Sequence, residues 1–169
     1  MFEPRQKRKK KKGEIGFFLW AVSIYTADQI SKRAVVGNIG YLSTVPIIPD
    51  FFHLTHVLNN GASFGMLQDQ ATLFIWVSVF VLLFITWAVF FWQGADRYAR
   101  LLLGMVSGGA LGNLADRLQY GAVVDFLDFR GIWPYIFNFA DVAVVCGGTL
   151  LAIYVIMEDK SPWLYQPKH

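Results

Sequence analysis

Carboxylates, side-chain amides and a few cations are scattered through long apolar runs of this chain. Their spacing is not random. Asp28 and Lys32 are four residues apart and can pair on a helix. Asn113, Asp116 and Arg117 fall at i, i+3 and i+4, and share a face with Gly109 and Gly112. Asn138 and Asp141 are three apart and also share a face. Nucleophilic chemistry has no good candidate. Ser31 and Lys32 are adjacent and would point apart on a helix, and Cys146 reads as a packing residue inside an apolar run. His53 and His56 could bind a metal or act as bases, but loop histidines near an interface are more often amphipathic surface. We expect no metal and no cofactor. The carboxylates remain. An aspartate pair sharing one proton can deprotonate a water for attack on a carbonyl and protonate a leaving amine. For Asp125 and Asp141 the competing readings are a helix cap and a structural ion pair. Asn138 is the better cap, and Asp125 precedes no clear helix. Asp28 with Lys32, and Asp116 with Arg117, read as structural pairs. Asn59 reads as a substrate contact, with a turn at Asn60-Gly61 as the alternative. Asp128 and Arg130 read as solvated loop charges.

Whatever these groups do, apolar elements must position them. The chain has 169 residues, 55% hydrophobic, 17% aromatic and only 16% charged. Soluble domains carry about 25% charged residues. The balance excludes disorder and an ordinary soluble enzyme, and it points to a membrane. One cysteine excludes an intrachain disulfide and a cysteine-based zinc site. Four apolar segments predict four spans at about 15–34, 71–92, 99–118 and 137–157. They form one unit over 14–158, between a basic tail (1–13) and a C-terminal tail (159–169). The stripe Gly104, Gly108, Gly112 predicts close helix packing.

Seven of the fifteen Lys and Arg lie in the first twelve residues. An apolar run follows at once, so this tail reads as a cytoplasmic flank touching anionic lipid, not a nucleic-acid arm. No small-residue cleavage site follows the run, so it reads as a span and not as a cleaved signal. Four spans return the C-terminus, with Lys160 and Lys168, to the same side, and Arg97 and Arg100 sit in the inner turn. The outer loops are then about 35–70 and 119–136. The first is rich in β-branched and aromatic residues and broken by Pro46 and Pro49, which predicts short strands lying on the membrane. Every polar candidate falls at the outer face. An ion pathway would spread polar residues through the membrane, and an adaptor would not need acids and amides converging at one depth.

Five blocks resemble the lipoprotein signal peptidase (signal peptidase II) family: Asp28-Gln-Ile-Ser-Lys32, Asn59-Asn-Gly-Ala-Ser-Phe64, Gly109-Ala-Leu-Gly-Asn-Leu-Ala-Asp-Arg117, Val123-Val-Asp-Phe126 and Phe137-Asn-Phe-Ala-Asp141. They occur in the family's order over about residues 15 to 158. The resemblance implies an aspartic endopeptidase of the bacterial inner membrane, multi-pass, with both termini cytoplasmic and the site at the outer face. It would cut diacylglyceryl-modified prolipoproteins just before the lipidated cysteine, need no cofactor, work as a monomer and be inhibited by globomycin. The implied fold is all-α, with four transmembrane helices, a small extracytoplasmic β-cradle and a lid loop within about Tyr41 to Leu67. The implied catalytic pair is Asp125 and Asp141. Asp28, Lys32, Asn59, Gly61, Asn113, Asp116, Arg117 and Asn138 would bind substrate or support the site. Three features depart from the pattern: Ser63 where Ala is usual, Val142 where Ser is common, and the basic run from Lys7 to Lys12.

Overall fold

The computed structural model describes residues 3–61, 70–92 and 95–159, with side chains from Glu14 to Met157. Residues 62–67 of the expected cradle and lid loop, Ser63 among them, the side chains of the basic run, and Lys160 and Lys168 lie outside the described residues. Four helices and three strands follow in the order α1 (Glu3–Asn38), β1 (Thr44–Ile48), β2 (Phe52–Asn59), α2 (Ala71–Phe91), α3 (Arg97–Tyr120), β3 (Val123–Phe129) and α4 (Phe139–Asp159). By length and composition, α2 and α4 are apolar enough to cross a membrane, with mean hydropathies of 2.6 and 2.1. The charged residues of α1 and α3 lower theirs.

Helices α1 and α3 run parallel and in step. A Cβ on Gly104 would come within 2.8 Å of the Phe17 carbonyl oxygen, and one on Gly108 within 2.6 Å of that of Ala21. Further along, a Cβ on Gly112 would strike the Asp28 carboxylate. The glycine stripe therefore packs α3 directly on the backbone of α1. Gly109 faces the other way, where a Cβ would lie 2.5 Å from the Ala140 carbonyl oxygen of α4. Each end of the α1–α3 seam is tied by charge, Glu14 to Arg100 at 3.8 Å and Lys32 to Asp116 at 2.8 Å.

Local signals end the elements. Asp96 caps α3 by accepting from the Ala99 N–H at 2.9 Å, and Gly121 closes it in the left-handed conformation (φ 71°). The chain then enters β3 almost at once. Asp125 therefore sits on a strand, where the sequence suggested a loop. Its signal was the β-branched and aromatic run Val123-Val124-Asp125-Phe126. The sheet order is β1-β2-β3, antiparallel throughout. Pro46 lies in the edge strand, beside a bulge between Pro46 and Ile48, where its missing N–H is tolerated.

Two apolar clusters bracket the molecule's polar layer. One joins Phe17, Ile85, Val89 and Leu103 inside the bundle. The other joins Val35, Ile39, Phe126 and Leu127 beneath the sheet.

Candidate active site

Between these clusters, Asp28, Lys32, Asp116, Asp125 and Asn138 are all buried. Two aspartate pairs result, and they have different surroundings.

Asp28 and Asp116 share a cation. The Lys32 ammonium lies 2.9 Å from Asp28 Oδ2 and 2.8 Å from Asp116 Oδ2. It also donates to Asn113 Oδ1 at 3.0 Å. Gln29 Nε2 donates to Asp116 Oδ1 at 2.9 Å. Asp116 therefore pairs across helices with Lys32, and Arg117 is not its partner. The Arg117 guanidinium instead lies over the Phe74 ring at 5.2 Å and donates to the Asn113 carbonyl at 3.4 Å.

Asp125 and Asp141 touch no cation among the described residues. Amides hold them. Asp125 Oδ1 accepts from Asn138 Nδ2 at 2.6 Å, and Oδ2 accepts from Asn59 Nδ2 at 2.9 Å. Asn59 is fixed in turn by the Gly61 N–H, which donates to its Oδ1 at 3.0 Å. The Asn60-Gly61 turn and the Asp125 contact are thus both made by one side chain. Asp141 Oδ1 accepts from Asn113 Nδ2 at 2.8 Å. Its other oxygen takes part in a reciprocal cap at the start of α4. The Asn138 N–H donates to Asp141 Oδ2 at 3.2 Å, and the Asp141 N–H donates to Asn138 Oδ1 at 2.9 Å. Asn138 caps the helix, as its position predicts, and the same residue grips both carboxylates.

Burial raises the Asp125 carboxyl from its ordinary 3.8 to about 7. The neighbouring Asp141 charge adds to this, while the Asn59 and Asn138 amides and the more distant Lys32 oppose it. This group is poised to hold a proton near neutrality. No group of three or more His, Cys, Asp or Glu suited to a metal occurs among the described residues. His56 is tied to the Ile39 carbonyl at 2.8 Å. Asp128 is partly sequestered and not simply solvated: it accepts from Thr55 Oγ1 at 2.7 Å and from Arg130 Nε at 3.2 Å.

The sequence reading passed over Gln29 as a site residue. It is buried and touches Asp28, Asp116 and the Gly112 carbonyl. Its adjacency to Asp28 inside an apolar run was the available signal.

The sequence pattern of the family described as Signal peptidase (SPase) II matches residues 20–157. The chain is 47% identical over 138 residues to a lipoprotein signal peptidase of Desulfitobacterium hafniense, covering 82% of this chain and 91% of that one. It is 43% identical over 149 residues to a lipoprotein signal peptidase of Clostridioides difficile, covering 86% and 98%. A solved bacterial membrane enzyme superposes with a TM-score of 0.78 at 28% identity, over 90% of this chain and 93% of that one.

Proposed function

The chain belongs to the signal peptidase II family of aspartic peptidases, and on that premise we propose that it removes signal peptides from diacylglyceryl-modified prolipoproteins, cutting before the lipidated cysteine, with Asp125 and Asp141 as the catalytic pair. The observation that carries the assignment is Asn138. One buried side chain and its own N–H hold both carboxylates, while no cation among the described residues contacts either.

The pair shares one proton. One carboxylate removes a proton from a water as the water oxygen bonds to the scissile carbonyl carbon. The shared proton passes to the carbonyl oxygen, giving a neutral diol. Collapse of the diol breaks the C–N bond, one carboxylate taking a hydroxyl proton as the carbonyl re-forms while the other carboxyl gives its proton to the leaving amine, which restores the singly protonated pair. The two groups titrate as a unit, so acid and base are roles of the pair. Asn59, Asn113 and Asn138 fix the carboxylates. Arg117, half-buried over the Phe74 ring, is the cation we assign to contact with substrate.

We place the protein in the bacterial inner membrane with four spans, within residues 14–158, and both tails cytoplasmic. The parallel run of α1 with α3, and the opposite run of α4 seen in the facing of Gly109 on Ala140 and Gly147 on Met105, support an even number of crossings. The polar layer then lies at the outer face, and lipid-modified substrate reaches it laterally through the bilayer. The enzyme works as a monomer without a cofactor, and globomycin-type inhibitors occupy the site.

Purified protein in detergent is given a diacylglyceryl-modified prolipoprotein, with Asp141→Asn alongside. Cleavage by the parent and none by the folded variant is the expected result. Full cleavage by the variant overturns the pair.

A further inference from the structure

The Asp28–Lys32–Asp116 cluster touches neither carboxylate of the proposed pair, yet it reaches the backbone immediately before each. Asp116 Oδ2 accepts from the Val124 N–H at 3.0 Å, and Val124 precedes Asp125. Asp28 Oδ1 accepts from the Ala140 N–H at 2.9 Å, and Ala140 precedes Asp141. Lys32 joins the two carboxylates at 2.9 and 2.8 Å. The chain of contacts is therefore closed: the Val124 amide, Asp116, Lys32, Asp28, the Ala140 amide. Gln29 braces it by donating to Asp116 Oδ1 at 2.9 Å and to Asp28 Oδ2 at 3.4 Å.

We infer that this cluster is a clamp that sets the separation of Asp125 and Asp141, by tethering strand β3 and helix α4 at the residue before each, and that Gln29 is a positioning residue within it. This rests on the reading of Asp125 and Asp141 as the catalytic pair. The reason is geometric. Strand β3 and the start of helix α4 are joined on one side by the Phe137 backbone, which pairs with Leu127, and by the Asn138 amide on Asp125, and the cluster ties the same two elements from the other side, on α1 and α3. A buried ammonium donates to two carboxylates at fixed distances, and each carboxylate keeps an oxygen lone pair for an amide. Catalytic groups must be held to fractions of an ångström, and an error near 1 Å lowers rate about 100-fold. The tight seam behind the clamp fits this role. Gly112 leaves room for the Asp28 carboxylate that a methyl group would fill.

The test compares Gln29→Met, Asp28→Asn, Asp116→Asn and the Asp28→Asn/Asp116→Asn double variant, each corrected for folded protein by its detergent melting curve. Asp125→Asn and Asp141→Asn are run beside them. The clamp predicts that kcat falls about 10- to 100-fold in the charge variants and about tenfold in Gln29→Met, with KM within about twofold. It also predicts that the double variant is no worse than the poorer single, because either break already releases the spacing. Unchanged kcat per folded molecule, a loss confined to KM, or two losses that multiply would overturn it. If the charge variants do not fold, Gln29→Met decides alone, since it leaves every charge in place. Cleavage that survives in Asp125→Asn or Asp141→Asn overturns the catalytic pair itself. Dead pair variants beside fully active clamp variants overturn only the clamp.

Discussion

Two aspartate pairs lie within one buried layer, and they behave oppositely. Asp28 and Asp116 flank a buried ammonium, so their charge is compensated and serves as structure. Asp125 and Asp141 are bound by the amides of Asn59, Asn113 and Asn138, so their charges are held but not cancelled. Residue type does not separate the compensated carboxylates from the pair proposed to react. The position of one lysine does.

The contrast is broken most sharply at the amide-held pair. Asp125→Asn or Asp141→Asn should lower kcat by about 10³- to 10⁴-fold while the detergent melting temperature changes little. Single-turnover cleavage together with a melting curve checks both parts.

At the bridged pair the effect should move from rate to stability. Lys32→Met leaves two buried carboxylates without a counter-charge, and should destabilise the protein by about 3–5 kcal/mol. Thermal or denaturant unfolding in detergent measures it, and a melting temperature equal to that of the parent would refute the bridged-pair account.

Glycine variants sharpen the comparison by pressing at two different points of the layer. Gly112→Ala presses on Asp28, whereas Gly109→Ala presses on the Ala140 carbonyl at the start of α4, beside Asp141. Each should cost about 1–3 kcal/mol of stability through overpacking. Both should also lower kcat, Gly109→Ala by shifting the helix that carries Asp141 and Gly112→Ala by displacing Asp28.

The smallest effects concern protons. Below about 3.8 the folded and unfolded chains both carry a proton on Asp125, and between there and about 7 only the folded chain does. Stability should therefore fall as pH rises across that window and level off above it, with Asp125→Asn flattening the slope. Cleavage that needs the shared proton should decline as pH passes about 7. Asn59→Ala removes an amide that favours the charged form of Asp125. It should move the alkaline limb to higher pH and lower kcat about tenfold. A limb moving to lower pH would contradict the role given to Asn59.

Much of this was legible in the chain. Apolar runs gave four helices, with α2 and α4 close to the expected bounds, while α1 runs from Glu3, inside the expected tail, to Asn38, and α3 from Arg97 to Tyr120. Helical spacing predicted that Asn113 and Asp116 face inward together, and that Asn138 caps α4. Strand β3 was missed, because Asp125 and Asp128 interrupt its apolar residues and the segment is short. The partner of Asp116 was misjudged for a related reason: Arg117 is next in sequence, but adjacent helical residues diverge.

The sequence by itself determined whatever depends on three or four residues of helix. That covers the faces of the polar groups, the reciprocal cap of Asn138 and Asp141, and the glycine stripe that permits close packing. Only the tertiary structure decided that the lysine paired with Asp28 at i+4 also compensates Asp116. The same packing makes the other contacts of the layer, which join residues 81 positions apart (Lys32 to Asn113), 66 apart (Asn59 to Asp125) and 112 apart (Asp28 to Ala140). Helix geometry fixes a neighbour at i+4 wherever the helix lies. A contact across such separations exists only once α1, α3, β3 and α4 have packed, and the packing is set by where glycine lets the backbones meet.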